Sequence, residues 1–196
     1  NFIKPNTWKE TGENGGGLTY NLGAHVIDQA VQLFGMPEAV FADIATLRTG
    51  GKVDDYFIIH LMKPARMPEV KITLKASYLM CENEPRFVLH GTEGSYVKYG
   101  LDPQEADLTK GMLPDTPHWG EEDESQWGIL HTETDGNVVR KPYPTLPGNY
   151  AAFYENIYQH IRNGAVLQSD ACGVLGVIRL IEAAWESSRT GNVIKL

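Results

Sequence analysis

The sequence has 196 residues, a length that suits one large domain or two small ones. Apolar residues make up 42% and charged residues 21%, which supports a packed core and argues against wholesale disorder. Lys and Arg number 17 against 25 Asp and Glu, a formal charge of −8. Neutralising phosphates needs a basic face, so a general nucleic-acid binder is excluded and a domain acting on a small-molecule substrate is favoured. No apolar run is long enough to cross a membrane, and no basic-then-apolar leader opens the sequence. Cys81 and Cys172 belong to no CxxC pair and are expected to be buried free thiols in a reducing compartment. The opening Asn1-Phe2-Ile3-Lys4-Pro5-Asn6 reads as mid-protein, so a piece of a longer chain is expected.

In chain order, a polar, Gly-rich opening (Thr11 to Gly17) leads into an amphipathic helix over Leu22 to Phe34, stopped by Gly35-Met36-Pro37. Strands are predicted over Glu38 to Arg48 and Asp54 to Met62, joined by the turn Thr49-Gly50-Gly51-Lys52. Glu69 to Leu79 alternates with a period of two: Val70, Ile72, Leu74, Ala76 and Tyr78 on one face, Thr73, Lys75 and Ser77 on the other. Short strands follow at Arg86 to His90 and Ser95 to Tyr99. Leu101 to Pro147 reads as a proline-rich excursion with one helix near Pro103 to Thr109 and one strand near Trp127 to Glu133. Its acidic run, Glu121 to Glu124, is expected to be a solvated loop. Two helices close the chain, Asn149 to Asn163 and the helix capped by Asp170 that ends at Thr190-Gly191, with a last strand at Val193 to Leu196. Strands and helices are segregated, which predicts an α+β fold.

Few constellations carry chemistry. Gly15-Gly16-Gly17 lets a backbone pass close to another element or a ligand, but no strand precedes it and no dinucleotide fingerprint occurs in the chain. Asn21 and His25 follow at i and i+4, which places them on one helix face, with Asp28 a turn further on. An imidazole there suits general acid–base chemistry on a substrate hydroxyl. The structural alternative makes Asn21 a helix N-cap and His25 a surface histidine. No two of the six histidines lie close enough for a chelating pair, so no metal site is expected. His60 and His90 sit in strand patterns and should be packed or hydrogen-bonded. Trp119, Trp127 and Tyr143 either anchor the excursion or stack on a sugar ring.

The segment Gly15-Gly16-Gly17-Leu18-Thr19-Tyr20-Asn21-Leu22-Gly23-Ala24-His25-Val26-Ile27-Asp28 resembles the G-G-G-x-L-x-D-x-G-x-H-x-x-D segment of the Gfo/Idh/MocA oxidoreductases. Leu89-His90-Gly91-Thr92-Glu93-Gly94-Ser95, Gly148-Asn149-Tyr150 with Phe153-Tyr154, and the ending Ala183-Ala184 through Ser187-Ser188 extend the likeness over the whole chain. The resemblance implies that residues 1–196 form the C-terminal substrate-binding and oligomerisation domain. Such a domain has an open-faced, largely antiparallel sheet with helices on one face, and the N-terminal Rossmann domain would be absent from this chain. It further implies NAD or NADP as cofactor, held mainly by that absent domain, and a sugar, polyol or related hydroxy compound as substrate. Also implied are a homodimer or homotetramer formed through the open sheet face, no nucleic-acid or membrane partner, and by default a cytoplasmic location.

By resemblance, His25 exchanges a proton with the substrate hydroxyl, Gly15, Gly16 and Gly17 line the cofactor and substrate cleft, and Asn149 and Tyr150 contact substrate. The family's usual Asp is Asn21 here. A carboxylate would favour the charged imidazole, whereas an amide orients the ring and supplies no charge. The fragment alone is expected to be inactive, and a non-catalytic binding or assembly domain of the same fold is the alternative.

Overall fold

The computed structural model describes residue 3, residues 7–12 and residues 15–196. Most of the Asn1 to Asn6 opening, and Glu13 and Asn14 of the Gly-rich stretch, therefore lie outside the described residues. The elements in order are α1 (Ala24–Phe34), β1 (Pro37–Ala45), β2 (Tyr56–Pro64), β3 (Ile72–Ser77), β4 (Phe87–His90), β5 (Gly94–Lys98), α2 (Gln104–Thr109), β6 (Gly128–Thr134), β7 (Asn137–Tyr143), α3 (Ala151–Asn163), α4 (Ala171–Thr190) and β8 (Ile194–Lys195). The arrangement is α+β. Where one sheet is predicted, the strands divide between two four-stranded antiparallel sheets, ordered β3-β2-β1-β8 and β4-β5-β6-β7. The chain forms two compact units, Asn1–Cys81 with Ser169–Leu196, and Glu82–Gln168.

In the first unit the pleat decides the core. Val40, Ala42 and Ile44 of β1, Phe57, Ile59 and Leu61 of β2 and Ile72 of β3 point to one face and are buried. Against them lie Ile27 and Ala30 of α1 and Val177, Leu180, Ile181 and Ala184 of α4. The opposite face is half-exposed, with the Phe41 and His60 rings stacked at 6.2 Å and His60 hydrogen-bonded to Thr73 at 3.1 Å. Thr73, Lys75 and Ser77 lie on this outer face, as the alternation predicts.

Strand β8 pairs only with Ala39 and Val40 of β1. Beyond it, two serines of α4 satisfy the strand: Ser187 Oγ accepts the Ala42 amide at 3.0 Å and Ser188 Oγ the Ile44 amide at 2.9 Å. Asp170 caps α4 as predicted, its carboxylate accepting the Gly173 amide at 2.8 Å. Strand β1 stops short of its predicted end and β2 starts two residues after its predicted beginning, because residues 46–55 form a loop whose polar side chains turn inward; β2 then runs on to Pro64.

The second unit corrects the excursion. The stretch after β6 is not loop but strand β7, joined to β6 by a two-residue turn in which Asp135 and Gly136 have φ of 52° and 74°. Pro142 is tolerated because β7 is an edge strand. The acidic run is only partly solvated: Glu122 is buried and pairs with Lys98 Nζ at 2.7 Å. Cys81 and Cys172 are free, as predicted, but exposed rather than buried. Their apolar neighbours in sequence, Leu79, Met80, Val174 and Leu175, are exposed with them. Helix α3 has no buried residue, and its large apolar side chains stay open, Tyr154 being 70% and Ile161 72% exposed.

Candidate functional site

The glycine–histidine segment is built in the first unit. The Gly17 amide donates to the Lys9 carbonyl at 3.1 Å, and Gly17 itself has φ of +91°, where side chains are strained. A Cβ at Gly17 would lie 1.8 Å from Asp54 Oδ1. The close approach that a glycine permits here is therefore to a carboxylate of the β1–β2 loop. Gly15, with φ of +86°, has open space where its side chain would be.

From Leu18 the backbone turns helical. Residues Thr19–Gly23 form one wide π-turn that runs directly into α1. Such turns are rare, and they recur at functional sites. Leu18 and Thr19 are fully buried. The Leu18 amide donates to the Asp54 carbonyl at 3.0 Å, and the Thr19 amide and hydroxyl both donate to Asp54 Oδ2 at 2.6 Å. Burial pushes the Asp54 carboxyl above its ordinary value, while the Thr19 hydrogen bonds pull the other way. Tyr20, half-buried, has its phenol raised by burial and by the neighbouring Glu182 and Asp54 charges.

Asn21 is half-exposed and sits inside the π-turn, so it is not the helix N-cap of the structural alternative. His25 is exposed in the first turn of α1, and Asp28 is exposed a turn later. Asn21 lies within the wide turn and His25 just beyond it, and among the described residues no hydrogen bond joins their side chains. The imidazole is thus exposed at the end of a segment buried at Gly17, Leu18, Thr19 and Gly23, with Asp54 taking the Leu18 and Thr19 amides.

The same loop holds a second buried carboxylate. Asp55 accepts the amides of Leu47 at 2.7 Å and Arg48 at 2.9 Å, and the Arg48 Nε at 2.8 Å. Burial alone would raise its pKa, but these hydrogen bonds and the guanidinium charge outweigh it and hold the carboxyl below 3.8. Arg48 also forms a two-pronged pair with Glu10, both contacts at 2.9 Å, and its guanidinium lies 5.1 Å from the centre of the Tyr78 ring. The Glu10 hydrogen bond raises the Arg48 pKa against the effect of burial.

Asn149 and Tyr150 belong to the second unit. Asn149 Oδ1 accepts the Ala152 amide at 3.1 Å and so caps α3. Tyr150 is 43% exposed, with its phenol raised by burial and by Asp102 and Glu105. The Tyr150 amide donates to Oε1 of the fully buried Gln104 at 2.9 Å, an oxygen that also accepts the Trp119 indole N–H at 2.8 Å. Gln104 Nε2 in turn donates to Asp102 at 3.0 Å. A Cβ on Gly148 would lie 1.9 Å from Asp102 Oδ2, so this turn also requires glycine. Trp119 therefore acts as an anchor of the excursion. His90 bonds Ser95 Oγ at 2.8 Å, as expected for a strand histidine.

Sequence reasoning missed Thr19, Asp54, Asp55 and Gln104. Its available signal was the Asp54-Asp55 pair, since two adjacent carboxylates are poor strand formers where a strand had been predicted to begin. Among the described residues no group of three or more His, Cys, Asp or Glu could hold a metal ion. No helix among them is long and apolar enough to cross a membrane.

Comparison with known proteins places this architecture. The family model described as the C-terminal alpha/beta domain of an oxidoreductase family, Gfo/Idh/MocA, matches residues 1–196. The chain is 35% identical over 189 residues to the scyllo-inositol 2-dehydrogenase (NADP(+)) IolW of Bacillus subtilis, covering 96% of this chain and 52% of that protein. A candidate oxidoreductase from Bacteroides fragilis is 62% identical, and its crystal structure superposes with a TM-score of 0.87 over 92% of this chain and 53% of that one. An oxidoreductase from Bacillus cereus is 32% identical, with a TM-score of 0.82 over 100% of this chain and 56% of that one. The chain thus spans about half the length of the relatives it matches. With matching sequence over its whole length and a matching fold, the chain belongs to the Gfo/Idh/MocA oxidoreductases and is their C-terminal domain.

Proposed function

We propose that the full-length protein is an NAD(P)-dependent oxidoreductase acting on a sugar, polyol or related hydroxy compound, with His25 as its proton-transfer group. The observation that carries this reading is the exposed His25 at the head of α1, presented by a π-turn that follows the glycine run and is buried at Thr19 and Gly23. The relative with an assigned substrate, IolW, is named for a polyol and for NADP(+). The glycine segment lacks the strand that precedes a dinucleotide loop, and the side of Gly17 where a Cβ would project is taken by Asp54. A nicotinamide held by the rest of the protein would supply the hydride acceptor or donor. His25 takes the hydroxyl proton as the alcohol is oxidised and returns it on reduction. Asn21 flanks the site as a neutral neighbour. Tyr150 and Asn149 are retained as substrate contacts, and Gly15 to Gly17 as the wall of the cleft. The domain alone is inactive in this reading.

Full-length protein should bind NADH or NADPH in a fluorescence titration and oxidise at least one member of a sugar and polyol panel. His25→Ala should then lower kcat by about 10²–10⁴-fold. A folded full-length protein that binds neither cofactor would overturn the enzyme reading. It would favour an assembly domain, for which Asn21 in place of an acid is the supporting feature. The open face of the β3-β2-β1-β8 sheet is proposed as the homo-oligomer interface, because it exposes Phe41, Ile58 and Met62 in part while its other face is sealed.

A further inference from the structure

The segment that presents His25 has no cap of its own. Its first helical residue is Leu18, whose side chain cannot accept a hydrogen bond, and Asn21 lies too far inside the turn to do so. The unpaired amides at such an end must be met from elsewhere. Here a different element supplies the acceptors: the Asp54 carbonyl takes the Leu18 amide at 3.0 Å, and Asp54 Oδ2 takes both the amide and the hydroxyl of Thr19 at 2.6 Å. The carboxylate is 3% exposed and lies against Gly17, the one residue type that leaves it room. Its own loop is clamped by the neighbouring Asp55, which is bonded to Leu47 and Arg48. The clamp continues through Arg48 to Glu10.

We propose that Asp54 is the positioning residue of the site: by capping the Leu18–Thr19 backbone from the β1–β2 loop it fixes the π-turn and hence the place at which α1 presents His25. The inference rests on the reading of His25 as the proton-transfer group. Asp54 does no chemistry itself, since it is buried, with Oδ2 committed to Thr19 and Oδ1 packed against Gly17. The raised pKa of its carboxyl fits a group held in place despite the cost of burial.

The test uses full-length protein carrying Asp54→Ala, Asp54→Asn, Thr19→Val or Thr19→Ser. The Asn and Ser variants keep an acceptor and a donor, whereas the Ala and Val variants remove one. Kinetics are paired with amide hydrogen exchange at residues 18–25, and exchange in α4 serves as the reference for the fold. Asp54→Ala and Thr19→Val should speed exchange at residues 18–25 by about tenfold and leave α4 protected. They should lower kcat by about 10- to 100-fold, with KM changed less than about twofold. Asp54→Asn and Thr19→Ser should recover most of kcat. The proposal is overturned if Thr19→Val keeps wild-type kcat, or if the Asn and Ala variants at position 54 are equally slow. Unchanged exchange at residues 18–25 in Asp54→Ala and Thr19→Val also overturns it. Should Asp54→Ala lose protection in α4 as well, the milder Thr19→Val decides. A wild-type protein with no turnover sinks the oxidoreductase reading instead, and exchange at residues 18–25 still reports on the cap.

Discussion

Gly17 shows how one residue links sequence to site. Its positive φ, and the 1.8 Å at which a Cβ would meet Asp54 Oδ1, leave no room for a side chain. Gly17→Ala should therefore destabilise the domain by more than about 1 kcal/mol, measured by urea unfolding. The adjacent carboxylates Asp54 and Asp55 should answer pH in opposite senses. Asp55 has its folded pKa depressed, so its contribution is fully present above 3.8 and is lost as pH falls through the lower folded value. The stability gap between wild type and Asp55→Asn should close in acid over that window. Asp54 has its folded pKa raised, so the native state holds the proton more tightly and stability falls as pH rises from 3.8 through the folded value. Against Asp54→Asn, the wild type should thus lose ground with rising pH across that interval. Urea titrations of the three proteins at a series of pH values would check both signs.

Among the elements, α4 does more than cover the sheet. Its Ser187 and Ser188 hydroxyls take the Ala42 and Ile44 amides that the short β8 cannot reach. Ser187 is fully buried, and its hydroxyl donates a hydrogen bond to the Asn192 carbonyl at 2.6 Å. Ser187→Ala should cost about 1–3 kcal/mol in thermal or urea unfolding, because it strands a buried amide and a carbonyl together. The amphipathic face of α1, the β3 alternation and the Asp170 cap of α4 were legible because each follows a local period or a local hydrogen bond. Strand β7 was missed because Pro142 and its charged residues outweighed the Asp135-Gly136 turn signal. The early end of β1 and the late start of β2 were missed because they depend on partners distant in sequence, such as the Glu10 carboxylate that pairs with Arg48.

For the molecule as a whole, the division into two compact units puts His25 and Asn21 in one and Tyr150 and Asn149 in the other. Each unit has its own buried polar anchor, Arg48 with Asp55 and Glu10 in the first, Gln104 with Asp102 and Trp119 in the second. If the open face of the first sheet joins subunits, Ile58→Lys should disperse the oligomer in light scattering while the unfolding midpoint changes little. Ile58 lies on the half-exposed face, beside Asp43 and Lys75 in the pairing register.

By itself the sequence determined the α+β class, most of the elements and the family, because periodicity and the glycine–histidine motif are local properties of the chain. It also placed His25 on a helix after a glycine-rich turn. Only the tertiary structure decided what that turn packs against. Asp54 meets Thr19 across 35 positions and Gln104 meets Tyr150 across 46, and no local pattern encodes such meetings. A buried carboxylate or amide is recognisable only once the fold has removed water from it and brought its partners within hydrogen-bond distance.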